Sequence, residues 1–336
     1  MNIQDRQGLK ARAAAALSEA SYSPGKLALI HTGAAAALSL LLTVLNYVLT
    51  DQIGGTGGLS GMGLRSVLST AQTMLSIVSM AVMPFWELGF VYAALRMARK
   101  EQTAPENLLQ GFRRFGPMLR LTLLQGLIYL AIVILCINIS SAIFIMTPFS
   151  LPLAEALQTL STQAASAQEL MVEVSGALIP FYCIFAILLA VMAVPVLYRF
   201  RLAQYLIVDE PKTGALAALG TSHRLMRYNR WAMFRLDLSF WWFYGLQLLS
   251  FLLAYGDVLA AVLGIRLPVS EGVAFFGFYV LHCASQLLIA WRFASPVAVT
   301  YATAYETLQQ MHKDAEPQLV KNFPWDFLPE REREEQ

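Results

Sequence analysis

Charge is scarce in this sequence. Of 336 residues, 14% are Asp, Glu, Lys or Arg and 57% are hydrophobic, against about 25% charged in an ordinary soluble domain. A chain this apolar cannot clothe itself in a hydrated surface, which excludes a single water-soluble domain, and it is too hydrophobic to stay disordered. Cysteine is also sparse: Cys136, Cys183 and Cys283 each lie inside a long apolar run. With no Cys-x-x-Cys pair and no Cys/His cluster, neither a disulfide framework nor a zinc site is indicated. The chain holds no nucleophile elbow, phosphate-binding loop, His-Glu-x-x-His or paired-carboxylate motif, so it reads as a non-enzyme with no cofactor or metal. A net charge of +2 gives no reason to expect a nucleic-acid partner.

Long apolar runs are what the sequence does have. A bilayer core about 30 Å thick needs about 20 apolar residues in a helix. Six runs qualify: Leu27–Leu49, Val67–Leu95, Met118–Thr147, Ala177–Val196, Ala232–Gly256 and Val273–Ala294. They are continuously apolar rather than alternating, so the expected fold is an all-α membrane bundle of six spans and not a β-barrel. All of the 24 Lys and Arg except Arg65, Arg266 and Arg292 fall in the N-terminal segment, the second-to-third linker, the fourth-to-fifth linker or the tail. That asymmetry predicts both termini in the cytoplasm. The charged N-terminal segment is too long, and the run after it long enough to span, for a cleaved signal peptide. The organisation expected is an amphipathic cytoplasmic segment over residues 1–26, a membrane domain over 27–310 and a disordered cytoplasmic tail over 311–336.

The runs expected to return toward the basic side each carry a proline, at Pro84, Pro195 and Pro296, with tyrosines shortly after: Tyr92, then Tyr198 and Tyr205, then Tyr301 and Tyr305. Met118-Leu-Arg-Leu-Thr-Leu123 also resembles Met233-Phe-Arg-Leu-Asp-Leu238. Repeated helical hairpins would produce this, and so would proline kinks alone. The basic linkers hold amphipathic patterns. At 100° per residue, Ala215, Ala218, Leu219, Ser222, Leu225 and Met226 share one arc opposite Arg224, Arg227 and Arg230. Glu106–Phe115 sets Leu108, Leu109, Phe112 and Phe115 against Arg113 and Arg114, and residues 4–20 suggest a third such helix. These helices are expected to lie on the membrane surface, with Arg113, Arg114, Arg224, Arg227 and Arg230 among anionic lipid headgroups.

Several blocks carry a resemblance: Tyr198-Arg-Phe-Arg-Leu-Ala-Gln-Tyr205-Leu-Ile-Val-Asp209, Ser222-His-Arg-Leu-Met226-Arg and Leu236-Asp-Leu-Ser-Phe240. With Lys10-Ala-Arg12-Ala, Gly111-Phe112 and Tyr301-x-x-x-Tyr305-Glu306-x-Leu308, they resemble the DUF975 family of bacterial polytopic membrane proteins. The likeness spreads over most of residues 8–310. Where that family typically has Pro-Gly before its tyrosine, this chain reads Pro195-Val196. The resemblance implies a six-helix protein of the bacterial inner membrane and brings no biochemical activity with it.

An ionisable group within a span is costly unless it is paired or wet. Glu87 is the clearest example, and equal depth past the prolines predicts a charge pair with Arg199 first and Arg292 second. Two function classes follow. One is a non-enzymatic membrane scaffold or envelope factor that binds lipid or a partner membrane protein. The alternative is a small-solute or ion transporter using Glu87. In the tail, Phe323-Pro-Trp325-Asp-Phe327 is a candidate docking motif or interfacial anchor.

Overall fold

The computed structural model describes residues 3–55, 59–155, 177–210, 212–265 and 268–322; Phe323–Phe327 lies outside them. Regular structure among these residues is helical. In chain order the helices are α1 (Arg6–Ser18), α2 (Pro24–Gly55), α3 (Leu59–Ala98), α4 (Gln110–Arg113), α5 (Phe115–Met146), α6 (Ile179–Phe200) and α7 (Ala203–Asp209). They continue with α8 (Ala215–Met226), α9 (Arg230–Leu238), α10 (Trp241–Leu253), α11 (Gly256–Val262), α12 (Glu271–Ile289) and α13 (Ser295–Asn322). A π-helical turn, Ala290–Ala294, links α12 to α13.

Among the described residues, five helices are long and apolar enough to cross a membrane. The expected fifth span, Ala232–Gly256, is not one straight helix: α9 and α10 meet at a 62° bend, and the pair together passes the same test. Sequence explains the break. Arg230, Arg235 and Asp237 make α9 polar, with Asp237 bonded to Tyr198, Arg201 and Tyr301, whereas α10 opens on Trp241-Trp242-Phe243 and carries no charged residue. At the corner the Ser239 hydroxyl donates to the Leu236 carbonyl and the Phe240 N–H to the Asp237 carbonyl at 2.8 Å, closing the first helix before the second begins.

Among the described residues the long helices pair into three hairpins, α2/α3, α5/α6 and α10/α12, and their burial is uneven. The packed core sits at one end, here called the base. It gathers Leu9, Ala13 and Ala16 of α1, Leu88 to Met97 of α3, Leu202 to Val208 around α7, the apolar arc of α8, and Val299 to Leu308 of α13. Toward the opposite, outer end, α2 packs on α12 and α12 on α10, while the chief partner of α5 is α6. None of the 22 residues of α6 is buried.

Two of the expected surface helices are thereby corrected. In α8 the arc Ala215, Ala218, Leu219, Ser222, Leu225 and Met226 is buried as its periodicity predicts, but it packs on α7, α6 and α5 rather than on lipid. Helix α1 likewise buries Leu9, Ala13 and Ala16 against α13 and α3. Glu106–Phe115 is no continuous helix but a 3-10 turn, Pro105–Leu109, followed by α4. Close approach is the reason. A Cβ on Gly89 would lie 1.8 Å from the Leu108 carbonyl oxygen, and one on Gly111 equally close to that of Phe85, so the segment is pressed onto α3 through two glycines. Helix α13 runs on to Asn322, into the segment 311–336 expected from sequence to be a tail.

Candidate functional site

Two polar networks join the hairpins at the base, and both form where a proline-bearing leg ends. The first is centred on Asp237. Its Oδ2 accepts from the Tyr198 hydroxyl and from Arg201 Nη1, and its Oδ1 accepts from the Tyr301 hydroxyl at 2.6 Å. The hydroxyls of Tyr301 and Tyr244 lie 2.7 Å apart, and the Arg201 guanidinium sits 4.5 Å from the Tyr301 ring centre. A carboxylate with three donors and a cation on an aromatic face are both well satisfied, which is what burial at 14% and 25% side-chain exposure requires of the Asp237–Arg201 pair.

Arg99 organises the second network. Its Nη1 reaches Asp209 Oδ1 at 2.7 Å and its Nη2 reaches Glu306 Oε1 at 2.6 Å. The Tyr305 hydroxyl donates to Asp209 Oδ2 at 3.0 Å, and the Tyr305 ring stacks on Tyr205 with centres 5.2 Å apart. Burial by itself would lower the pKa of Arg99. The hydrogen bonds and charges of Asp209 and Glu306 overcome it and hold the group protonated, its pKa above the ordinary arginine value. Arg99 follows α3, Asp209 ends α7 and Glu306 belongs to α13, so one guanidinium ties the ends of all three hairpins. Between the networks, the buried Ser222 hydroxyl of α8 donates to the Arg199 carbonyl at 3.1 Å and accepts the Leu202 N–H at 3.2 Å, satisfying the backbone at the α6–α7 break.

The structure does not bring Glu87 together with Arg199 or Arg292. The Glu87 side chain is 58% exposed, and its charged neighbour is His31, with Nε2 3.8 Å away. His31 is itself stacked between Trp86 and Phe90, at 5.6 and 4.6 Å between ring centres. Arg199 instead lies 3.3 Å from His223 Nε2, and Arg292 rests over the Phe293 ring. Equal spacing past a proline says nothing about azimuth, and Glu87 and Arg199 meet different neighbours, His31 and His223.

Of the candidate headgroup contacts, Arg113 and Arg227 are exposed, and Arg224 is exposed with a bond to Thr221 on its own helix. Arg230 is half-buried. Arg114 is a structural tie, Nη1 donating to the Ile207 carbonyl at 2.7 Å. Lys10 and Arg292, from distant parts of the chain, line one cavity of about 580 Å³ with Trp291, Phe240 and the start of α2. No carboxylate lies in that lining, and burial together with the charge of Arg6 lowers the pKa of Lys10. A second cavity, of about 640 Å³, opens between the α5/α6 hairpin and α10, with Gln125, Tyr129, Gln204 and the Asp237 network around it.

A family model described as "Protein of unknown function (DUF975)" matches residues 27–304. The chain belongs to the DUF975 family. No curated protein and no solved structure gives a match. The match runs from near the start of α2 into α13, so it takes in all three hairpins, the Asp237 network, and Arg99 and Asp209 of the second network, and it ends just before Tyr305 and Glu306. In this DUF975 protein the residues sequence reasoning overlooked include Arg201, Asp237 and Tyr244 of the first network and Arg99, Asp209 and Glu306 of the second, together with the joint role of Tyr198 and Tyr301. A signal was present. An aspartate inside Leu236-Asp-Leu-Ser-Phe240, with tyrosines recurring after each proline, marks an acceptor and its donors, but which donor reaches it depends on the α9–α10 bend.

Proposed function

We propose that this DUF975 protein is a non-enzymatic factor of the bacterial inner membrane that holds bilayer lipid, or the transmembrane helix of a partner protein, against the α5/α6 hairpin, which is tied to the other two hairpins chiefly at its base. The observation that carries this reading is α6: 22 residues with Arg199 as their one charge, none buried, in a hairpin whose base is tied by Arg99, Ser222 and Asp237. Lipid association without a dry helix–helix interface leaves such a face for acyl chains or another helix. Basic groups at the base suit anionic headgroups, with Lys10 and Arg292 sharing one cavity and Arg113, Arg224 and Arg227 exposed nearby. In this account the protein crosses the membrane six times, α9/α10 counting as one broken span, with both termini in the cytoplasm.

The transport alternative drew its support from Glu87. That carboxylate sits beside a histidine stacked between two rings and lines neither of the cavities described above, so the scaffold reading is preferred. Native mass spectrometry of the protein released from its own membrane tests it. Retained anionic phospholipid or a retained membrane protein, enriched over its share of the membrane, is the expected result. Release of bare protein, with retained lipids matching the bulk composition, would overturn the reading.

A further inference from the structure

Another cavity has a different chemistry. It measures about 640 Å³ and lies between the outer part of α2, the end of α10, α11 and the first half of α12. Five aromatic side chains line it, Tyr47, Phe251, Tyr255, Phe275 and Tyr279, together with one carboxylate, Asp257. No Lys or Arg contributes to the lining.

We propose that this cavity binds an organic ammonium ion. Aromatic faces carry negative potential and attract a cation, the more strongly where water is excluded, and rings gathered around one point make a cage for substituted ammonium groups. Asp257 supplies the single formal countercharge, and no ion pair or hydrogen bond already occupies it among the described residues. Parts of the cage are fixed in advance. The Tyr279 hydroxyl is bonded to Ser39 across the α2–α12 contact, and Tyr47 stacks on Phe275 with centres 6.0 Å apart. His282, also in the lining, places Nδ1 2.6 Å from the Ser250 carbonyl and so donates to it. With a single carboxylate and otherwise only hydroxyl, amide and imidazole groups among the rings, the lining is a poor site for a hard metal ion, which favours several carboxylate or carbonyl oxygens. The volume falls in the range of about 300–1,000 Å³ usual for small-molecule sites, so the ammonium group can carry a body of some size. Two sources share this chemistry: a free amine or quaternary ammonium compound, and the ethanolamine headgroup of a lipid.

The test uses the full-length protein in neutral maltoside micelles and in nanodiscs. By calorimetry, choline is titrated against 3,3-dimethylbutan-1-ol, which has the same shape and no charge. By native mass spectrometry, retention of phosphatidylethanolamine is compared with that of phosphatidylglycerol. Choline binding that weakens about tenfold in Asp257→Asn, as loss of one desolvated ionic contact predicts, with much weaker binding of the neutral alcohol, supports a free ammonium ligand. Preferred retention of phosphatidylethanolamine that disappears in Asp257→Asn, without choline binding, supports the lipid source. Tyr255→Leu, at a half-exposed ring, should act in the same direction and gives a second variant if the first fails to fold. Equal binding of choline and its neutral isostere overturns the proposal. So does binding of neither choline nor phosphatidylethanolamine, or retention of full affinity in both variants.

Discussion

Asp237→Asn is the most informative single perturbation of the base. The substitution keeps the shape of the side chain and removes the charge that faces Arg201, and it puts an amide N–H₂ where the carboxylate now accepts from Tyr198, Arg201 and Tyr301. With side-chain exposure of 14% for Asp237 and 25% for Arg201, water replaces little of what is lost. Removing one partner of a buried pair costs about 3–5 kcal/mol, because the other is left uncompensated. Arg201→Gln alone should cost a similar amount. The double variant should lose less than the sum, with a coupling of about 0.5–3 kcal/mol, the range found for residues in one network. Equilibrium unfolding in mixed micelles of rising dodecyl sulfate fraction measures all four corners of the cycle. Losses that simply add would show that the network does not act as a unit and would refute the argument that it fastens α6 to α9 and α13.

Further expectations concern other links in the chain of reasoning. Gly111→Ala and Gly89→Ala each drive a methyl group into a carbonyl and should lose about 1–3 kcal/mol by the same unfolding assay, while Gly116→Ala, with open space around its position, should be neutral or slightly stabilising. Glu87→Gln and Arg199→Gln, which share no contact, should add within about 0.3–0.5 kcal/mol; a coupling well above that would revive the pair proposed from sequence. Reporter fusions at Gly57, Gln163 and Gly264 should read extracytoplasmic and those at Thr103, Thr213 and Gln318 cytoplasmic, and inversion at any two would break the six-span topology.

Much of this architecture is legible in the sequence because hydrophobic length is a strong and local signal. Leu27–Leu49, Met118–Thr147 and Ala177–Val196 all fall within or across α2, α5 and α6. Periodicity alone identified every buried residue of α8. It could not say what covers that arc, since a 100° wheel reports which face is apolar and nothing about whether protein or lipid lies against it. The bend between α9 and α10 was missed because Leu238-Ser239-Phe240 interrupts neither composition nor length; it is enforced by Asp237 being held by residues 39 and 64 positions away. The glycines that press α4 and the preceding turn onto α3 act through space, between residues such as Phe85 and Gly111 that no local pattern connects. Charge pairing failed for the same reason: depth along a helix is readable from sequence, whereas azimuth depends on the partner.

The central claim is that the α5/α6 hairpin faces lipid and not water above its fastened base. Spin labels placed singly at Val191 and Leu127, both more than 60% exposed, in a Cys136→Ala, Cys183→Ala, Cys283→Ala background in liposomes, test it directly. The account predicts high accessibility to oxygen, which partitions into the acyl region, and exclusion of a water-soluble nickel chelate at both positions. Accessibility to the chelate with exclusion of oxygen would contradict it, and would mean that the hairpin lines an aqueous path.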